Sequence, residues 1–299
     1  MFRSLLVPLD RSSLAEQALP WAFAVARRAD ARLNLVEVHG LYGMDEPNSR
    51  RAPFNPKEDE EYRGKEQLYL DATAKWLSAA GPISVRTQLL AGSVALSETV
   101  AESVLEEASA AATDLIVIAS HTRGPFGRFV FGSVAQELVR RSYVPVLLVR
   151  PNDSPPQLIP EPDLKSILIP LDGSALAEQI LEPALNLARV MAAPCTILQV
   201  VESGTQPCGQ ASETMQPEEY LECIASKIRT AGLQVRTQVV VAASAADAIG
   251  AEVNGQPNTL IALATHGRGG FKKLMVGSVA ERLLHNLPTP MLVYRPSHF

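Results

Sequence analysis

Two segments of the chain bring together residue types suited to holding an anion. In "ATHGRGGFKKLMVGSVAERLL", Ala264 to Leu284, four glycines, two lysines and two arginines stand between an apolar run and a helical pattern. "ASHTRGPFGRFVFGSVAQELV", Ala119 to Val139, aligns with it without a gap, so Gly277-Ser278-Val279-Ala280 faces Gly132-Ser133-Val134-Ala135. Glycines let backbone amides approach a ligand closely. A helix that starts at Gly-Ser adds unpaired amides backed by its dipole, which is the makeup of a phosphate site. Ser278 is predicted to cap that helix, and Arg268 adds a cation beside it. A plain turn with a serine cap worth about 1 kcal/mol would explain Gly277 and Ser278 taken alone. With the glycine-rich loop and Arg268 in front of them, phosphate binding is the better reading.

Other polar residues gather at predicted strand ends. Pro8-Leu9-Asp10 and Pro170-Leu171-Asp172 close the first apolar run of each half, and Val38 and Val200 close the second. A carboxylate only accepts hydrogen bonds, so Asp10 and Asp172 suit ribose hydroxyls or a base amine, or else the first turn of the following helix. His121 and His266 have no second histidine, Cys or Glu at ligand spacing, which points to a loop-bracing hydrogen bond rather than a metal. Lys272, Lys273 and Arg128 read as a solvated face. No nucleophile is paired with a base, and GxxxxGK[ST] is absent, so no enzyme is expected.

The elements that position these residues occur twice. "SLLVPLDRSSLAEQAL" from Ser4 repeats as "SILIPLDGSALAEQIL" from Ser166, "VRTQ" at Val85 repeats at Val235, and "DLIVIASH" at Asp114 matches "TLIALATH" at Thr259. The length differences fall between these blocks, as they should if the blocks are core elements. Short Val/Ile/Leu runs at Leu5–Leu9, Leu33–Val38, Val85–Leu90, Leu115–Ala119 and Val144–Val149 predict strands, and longer amphipathic stretches between them predict helices. Strands apolar throughout and separated by helices imply a parallel sheet covered on both faces. Ligands of such sheets bind beyond the carboxyl ends of the strands, where the strand order reverses. Pro20 and Pro183 are expected to kink the first helix of each half.

The division expected is a domain over 1–150, a linker over 151–162 and a domain over 163–299. The linker stretch "RPNDSPPQLIPEPDLK" has five prolines and reads as extended and stiff. Gly40–Glu61 is the longest irregular segment and reads as mobile surface. A net charge of -5 opposes a general nucleic-acid or membrane-surface role, because both need a cationic field. Cys195, Cys208 and Cys223 lie in one half without CxxC spacing, so neither a disulfide framework nor a structural metal is expected. The apolar run at the start is too short for a signal peptide or a membrane span, and a cytoplasmic protein is expected.

A strand ending in "PLD", the helix after it, and a late G-x-x-G-x9-G-[ST] loop closing onto a helix resemble the universal stress protein family, in tandem over nearly all 299 residues. The resemblance implies two five-stranded parallel α/β domains, Rossmann-like and related to adenine nucleotide alpha hydrolases. In ATP-binding members the strand-end aspartate and the valine after the second strand hold adenine and ribose, and the loop glycines with the closing Gly-Ser hold the phosphates. Carried over, these are Asp172, Val200, Gly267, Gly277 and Ser278, and Asp10, Val38, Gly132 and Ser133. The neighbours Pro170, Leu171, Ala264, His266, Arg268, Val279, Leu9 and Val134 join them. Ala264 and Ala119 replace the family's first loop glycine. Thr122 replaces the second in the first half, where Pro125 also deletes an amide opposite Gly270, so the second half should bind more tightly.

The implied role is a stress or signalling protein that binds ATP, with or without magnesium. The alternative is a nucleotide-free interaction module of the same fold. The implied partners are adenine nucleotide and an unidentified protein. The halves are expected to form an internal pseudo-dimer through "VPVLLVRP" and "TPMLVYRP", with a further homodimer open.

Overall fold

The computed structural model describes residues 1–40, 55–91, 97–120, 132–151, 155–203, 216–254, 256, 258–266 and 276–296. The chain divides into two compact units, the first built chiefly from residues 1–122 with 148–162, the second from 163–299.

The first half runs β1 (Ser4–Leu9), a short 3-10 turn (Ala15–Ala18), α1 (Leu19–Ala29), β2 (Arg32–His39), α2 (Pro56–Ala80), β3 (Ser84–Ala91), α3 (Ser97–Ala110), β4 (Leu115–Ala119), α4 (Ser133–Arg141) and β5 (Val146–Val149). Its strands lie in the order β3-β2-β1-β4-β5. β1 pairs in parallel with β2 on one side and β4 on the other, with Leu5 opposite both Leu33 and Leu115. Leu5, Leu6 and Val7 are wholly buried because helices cover both faces, and that is why the run is apolar throughout rather than alternating.

The second half repeats the plan as β6 (Ser166–Pro170), α5 (Ala175–Glu178), α6 (Leu181–Met191), β7 (Cys195–Glu202), α7 (Pro217–Thr230), β8 (Val235–Ala242), α8 (Ala245–Asn254), β9 (Thr259–Ala264), α9 (Ser278–Asn286) and β10 (Met291–Tyr294). Its strand order is β8-β7-β6-β9-β10. The order reverses between β1 and β4 in one half and between β6 and β9 in the other. Those two crevices are where an open parallel sheet receives a ligand.

Four expectations are corrected. Pro20 and Pro183 do not kink a helix; each sits in the first turn of a new one, α1 or α6, after a short separate turn. At that position the missing N–H costs nothing. Ser278 is not the cap of α9, because Gly277 is, and no side chain caps it. α2 begins at Pro56, capped by the Asn55 side chain on the Lys57 amide, so the end of the expected irregular segment is helical and residues 41–54 lie outside the described ones. β5 starts at Val146 rather than Val144, whose N–H and C=O are instead engaged by the Ser142 hydroxyl.

The linker is more firmly held than its composition implies. Leu158 and Leu164 are buried, and Glu161 receives hydrogen bonds from Arg27 Nε at 2.6 Å and Arg28 Nε at 2.9 Å.

Candidate functional site

Both crevices open on the same turn. Asp10 Oδ1 accepts from the Ser12 amide at 3.0 Å and the Ser12 hydroxyl at 2.5 Å, and Ser12 Oγ accepts from the Ala15 amide at 3.1 Å. Asp172 Oδ1 makes the same bonds to Ser174, at 2.9 and 2.6 Å, and Ser174 Oγ accepts from the Ala177 amide at 3.1 Å. Each aspartate therefore closes a local turn with one oxygen, the behaviour that favours Asp after a strand. Leu9 and Leu171 are buried core residues, so they can face a ligand only through their backbone, while Pro170 is half-buried at the end of β6.

Val38 and Val200 hold equivalent places near the carboxyl ends of β2 and β7, opposite Leu90 and Val240 and both half-exposed. They stand on the same rim as the aspartates, one strand away. Across the crevice, Ala119 and Ala264 end β4 and β9. The next amides, of Ser120 and Thr265, donate to Val149 and Tyr294 carbonyls at 2.9 and 2.8 Å. His266 is buried, with Nδ1 2.8 Å from the Thr265 hydroxyl. Gly267, Arg268, His121, Thr122, Pro125, Gly270, Arg128, Lys272 and Lys273 lie outside the described residues.

Gly277 returns the chain to the rim. Its amide donates to the Thr265 carbonyl at 2.7 Å, and its own carbonyl accepts the first helical bond, from Glu281. A Cβ there would stand 2.9 Å from the Thr265 oxygen. Ser278 is thus the first helical residue of α9 and is exposed, Val279 is half-exposed, and Ser133 and Val134 open α4 in the same states. Gly132 takes the place of Gly277, since its carbonyl accepts from Gln136. The early amides of both helices have no helical partner.

The sequence did not point to a group of charges at the first rim. Glu37 and His39, on the face of β2 that α2 covers, are buried among Arg11, Asp59 and Glu66. His39 contacts Glu66 Oε2 at 2.6 Å through Nδ1 and Asp59 Oδ1 at 2.9 Å through Nε2. Burial pushes the Glu37 carboxyl up to about 7, against the opposing pull of Arg11. Matching the two halves would have exposed the group, because Glu37 and His39 correspond to Gln199 and Val201. Arg150, after β5, is a further cation, donating from Nη1 to the Ser120 hydroxyl at 2.8 Å; burial lowers its pKa to about 10.

Other features lie away from the rims. A cavity of about 290 Å³ in the second unit is lined by Ser166, Thr196 and Thr259, at the amino ends of their strands and so at the opposite edge of the sheet. Cys195 is buried, which pushes its thiol up to about 12, and Cys223 is exposed. Cys208 lies outside the described residues. Among the described residues no three His, Cys, Asp or Glu side chains are arranged to hold a metal ion, and no helix is long and apolar enough to cross a membrane.

Comparison with known proteins matches this geometry to one family. The model described as Universal stress protein family matches residues 1–150 and 164–295. A universal stress protein of Mycobacterium tuberculosis is 29% identical over 200 residues, so the chain spans 62% of that relative's length with 62% of its own. Another, from Mycolicibacterium smegmatis, is 25% identical over 298 residues, covering 98% of this chain and 97% of the relative. The crystal structure of a universal stress protein from Archaeoglobus fulgidus has the same fold, with a TM-score of 0.75, 19% identity and 98% of each chain covered.

Proposed function

The chain belongs to the universal stress protein family, and on that premise we propose that it is a stress-response or signalling protein that binds ATP at its strand-end rims and is not an enzyme. One observation carries the reading. At each point where strand order reverses, a strand-end carboxylate stands on one side and, on the other, a helix entered through a glycine, whose first amides have no partner within the helix. The carboxylate suits the hydroxyls and amines of a nucleoside, and the helix start suits its phosphates. Asp172, Val200, Gly277 and Ser278 form the better site. Occupancy would change the rim and so alter a surface that a protein partner reads. Among the described residues no side chain at either rim is set up as an activated nucleophile.

The test is calorimetric titration of ATP into the whole protein and into Ser278→Glu. This substitution puts a carboxylate where the phosphates would sit, and an acidic first turn leaves α9 stable. The expected result is one tight equivalent in the wild type and at least a ~10-fold loss in Ser278→Glu, equal to about 1.4 kcal/mol. Ser133→Glu should leave the tight equivalent intact. Failure of the wild type to bind ATP, or loss confined to Ser133→Glu, would sink the assignment.

A further inference from the structure

Arg11 and Gly173 follow the strand-end aspartates of the two halves, and both hold the left-handed conformation, at φ 65° and 82°. Glycine takes that conformation without penalty and arginine does not. A strained non-glycine residue persists only where its surroundings hold it, and Arg11 is held from three sides. Its Nε lies 2.8 Å from Glu37 Oε1, its Nη2 3.5 Å from Glu66 Oε1, and its guanidinium carbon 5.0 Å from the centroid of the Tyr62 ring. A group carrying N–H donors is thus paired with a carboxylate and set over an aromatic ring. It follows Asp10 in the chain and is bonded to Glu37, the residue before Val38, so it stands at the carboxyl ends of β1 and β2, beside the rim where a nucleoside would sit.

Among the described residues the second half has no counterpart of this group. Gly173 has no side chain, and Gln199 and Val201 replace Glu37 and His39. α7 has 14 residues against 25 in α2. The surplus is at the amino end of α2. Tyr69 donates to Glu16 at 2.9 Å just as Tyr220 donates to Glu178 at 3.0 Å, yet α7 starts within one turn of Tyr220. The added turns carry Asp59 and Tyr62, with Glu66 where they join the shared part, and Asp59 and Glu66 grip His39. On the second rim the Gln199 amide oxygen, like Glu37 Oε2 on the first, is buried with no hydrogen-bond partner among the described residues, but no arginine stands beside it.

We propose that Arg11 is a built-in occupant of the first strand-end site, its guanidinium filling the place of a nucleoside base, and that it determines which half takes nucleotide. The proposal rests on the reading that the rims bind ATP. Arg11 is a specificity-determining residue in this role, and the first turns of α2 are the clamp that keeps it seated.

The experiment is ATP titration of the whole wild-type protein and of the double variant Arg11→Gly/Glu37→Gln, which copies Gly173 and Gln199 and leaves no unpaired carboxylate at position 37. The wild type should bind one equivalent. The double variant should bind a second, with first-half affinity raised at least ~10-fold, and Ser133→Glu added to it should abolish the gain. Tyr62→Ala, which removes the stacking ring without altering a buried carboxylate, should give a weaker second equivalent and provides the test should the double variant not fold. Two equal equivalents in the wild type, or one in both the double variant and Tyr62→Ala, would overturn the proposal and leave ATP binding by the second half standing. No binding by the wild type with one equivalent in the double variant would support the plug and reject the second-half site. No binding by any of the three rejects both.

Discussion

The Gly277 amide donates to the Thr265 carbonyl at 2.7 Å, and a Cβ on Gly277 would stand 2.9 Å from that same oxygen. This glycine is required by contact rather than by backbone conformation, because its φ of -62° is open to any residue. Gly277→Ala should therefore destabilise the protein by about 1–3 kcal/mol through overpacking. Urea unfolding of the two proteins checks this, and an alanine variant of unchanged stability would show that α9 can retreat from β9 at no cost. A substitution at Gly277 is for the same reason a poor probe of phosphate binding, and Ser278, exposed at the first helical position, is the better one.

Asp10 and Asp172 make the same turn with the same oxygen, so Asp10→Ala and Asp172→Ala should lose similar stability, about 1 kcal/mol each, as other side-chain caps do. Their effects on ATP should differ. Asp172→Ala is expected to weaken binding at least ~10-fold, while Asp10→Ala leaves the tight equivalent unchanged. Unfolding and titration on the same two samples separate the turn from the ligand, and equal losses of affinity would contradict the asymmetry.

Much of this architecture is legible in the chain itself. "SLLVPLD" and "SILIPLD" became β1 and β6 with their aspartates at the rim, because an apolar run ended by a turn residue is a local signal. The Gly-Ser pairs likewise opened α4 and α9. Less visible was whatever depends on distant contact. Arg11 meets Glu66 across 55 positions, and only the fold shows that α2 returns over the end of β2. Gly277 looks like a turn residue from its neighbours, yet Thr265, well before it in the chain, is what excludes a side chain there. Even so, Glu and His within "LNLVEVH" were a clue, since charge inside a buried strand needs a partner.

Glu37 should make stability depend on pH in the direction opposite to a surface carboxylate. Its folded pKa, about 7, lies above the ordinary value of 4.5, so between these values the folded chain holds more proton than the unfolded one. Stability from this group is present below about pH 4.5 and is lost as pH rises through 7. Relative to the wild type, Glu37→Gln should gain on the order of 2 kcal/mol on going from pH 5 to pH 8. Urea unfolding of both proteins at the two pH values measures the difference, and a gap that does not move with pH would mean that Arg11 keeps Glu37 ionised throughout.

An exposed connector between two compact units is a usual place for a protease to cut, because its chain is free to extend into the enzyme's active site. Glu161 held by Arg27 and Arg28, between the buried Leu158 and Leu164, denies that freedom over the stretch from 158 to 164. Cutting there requires the segment to detach first, so the rate of nicking reports a local opening equilibrium rather than the exposure suggested by composition. The same two arginines lie in the last turn of α1, where their charge also complements the negative end of the helix dipole. Whatever loosens the carboxyl end of α1 thus also makes the connector a substrate.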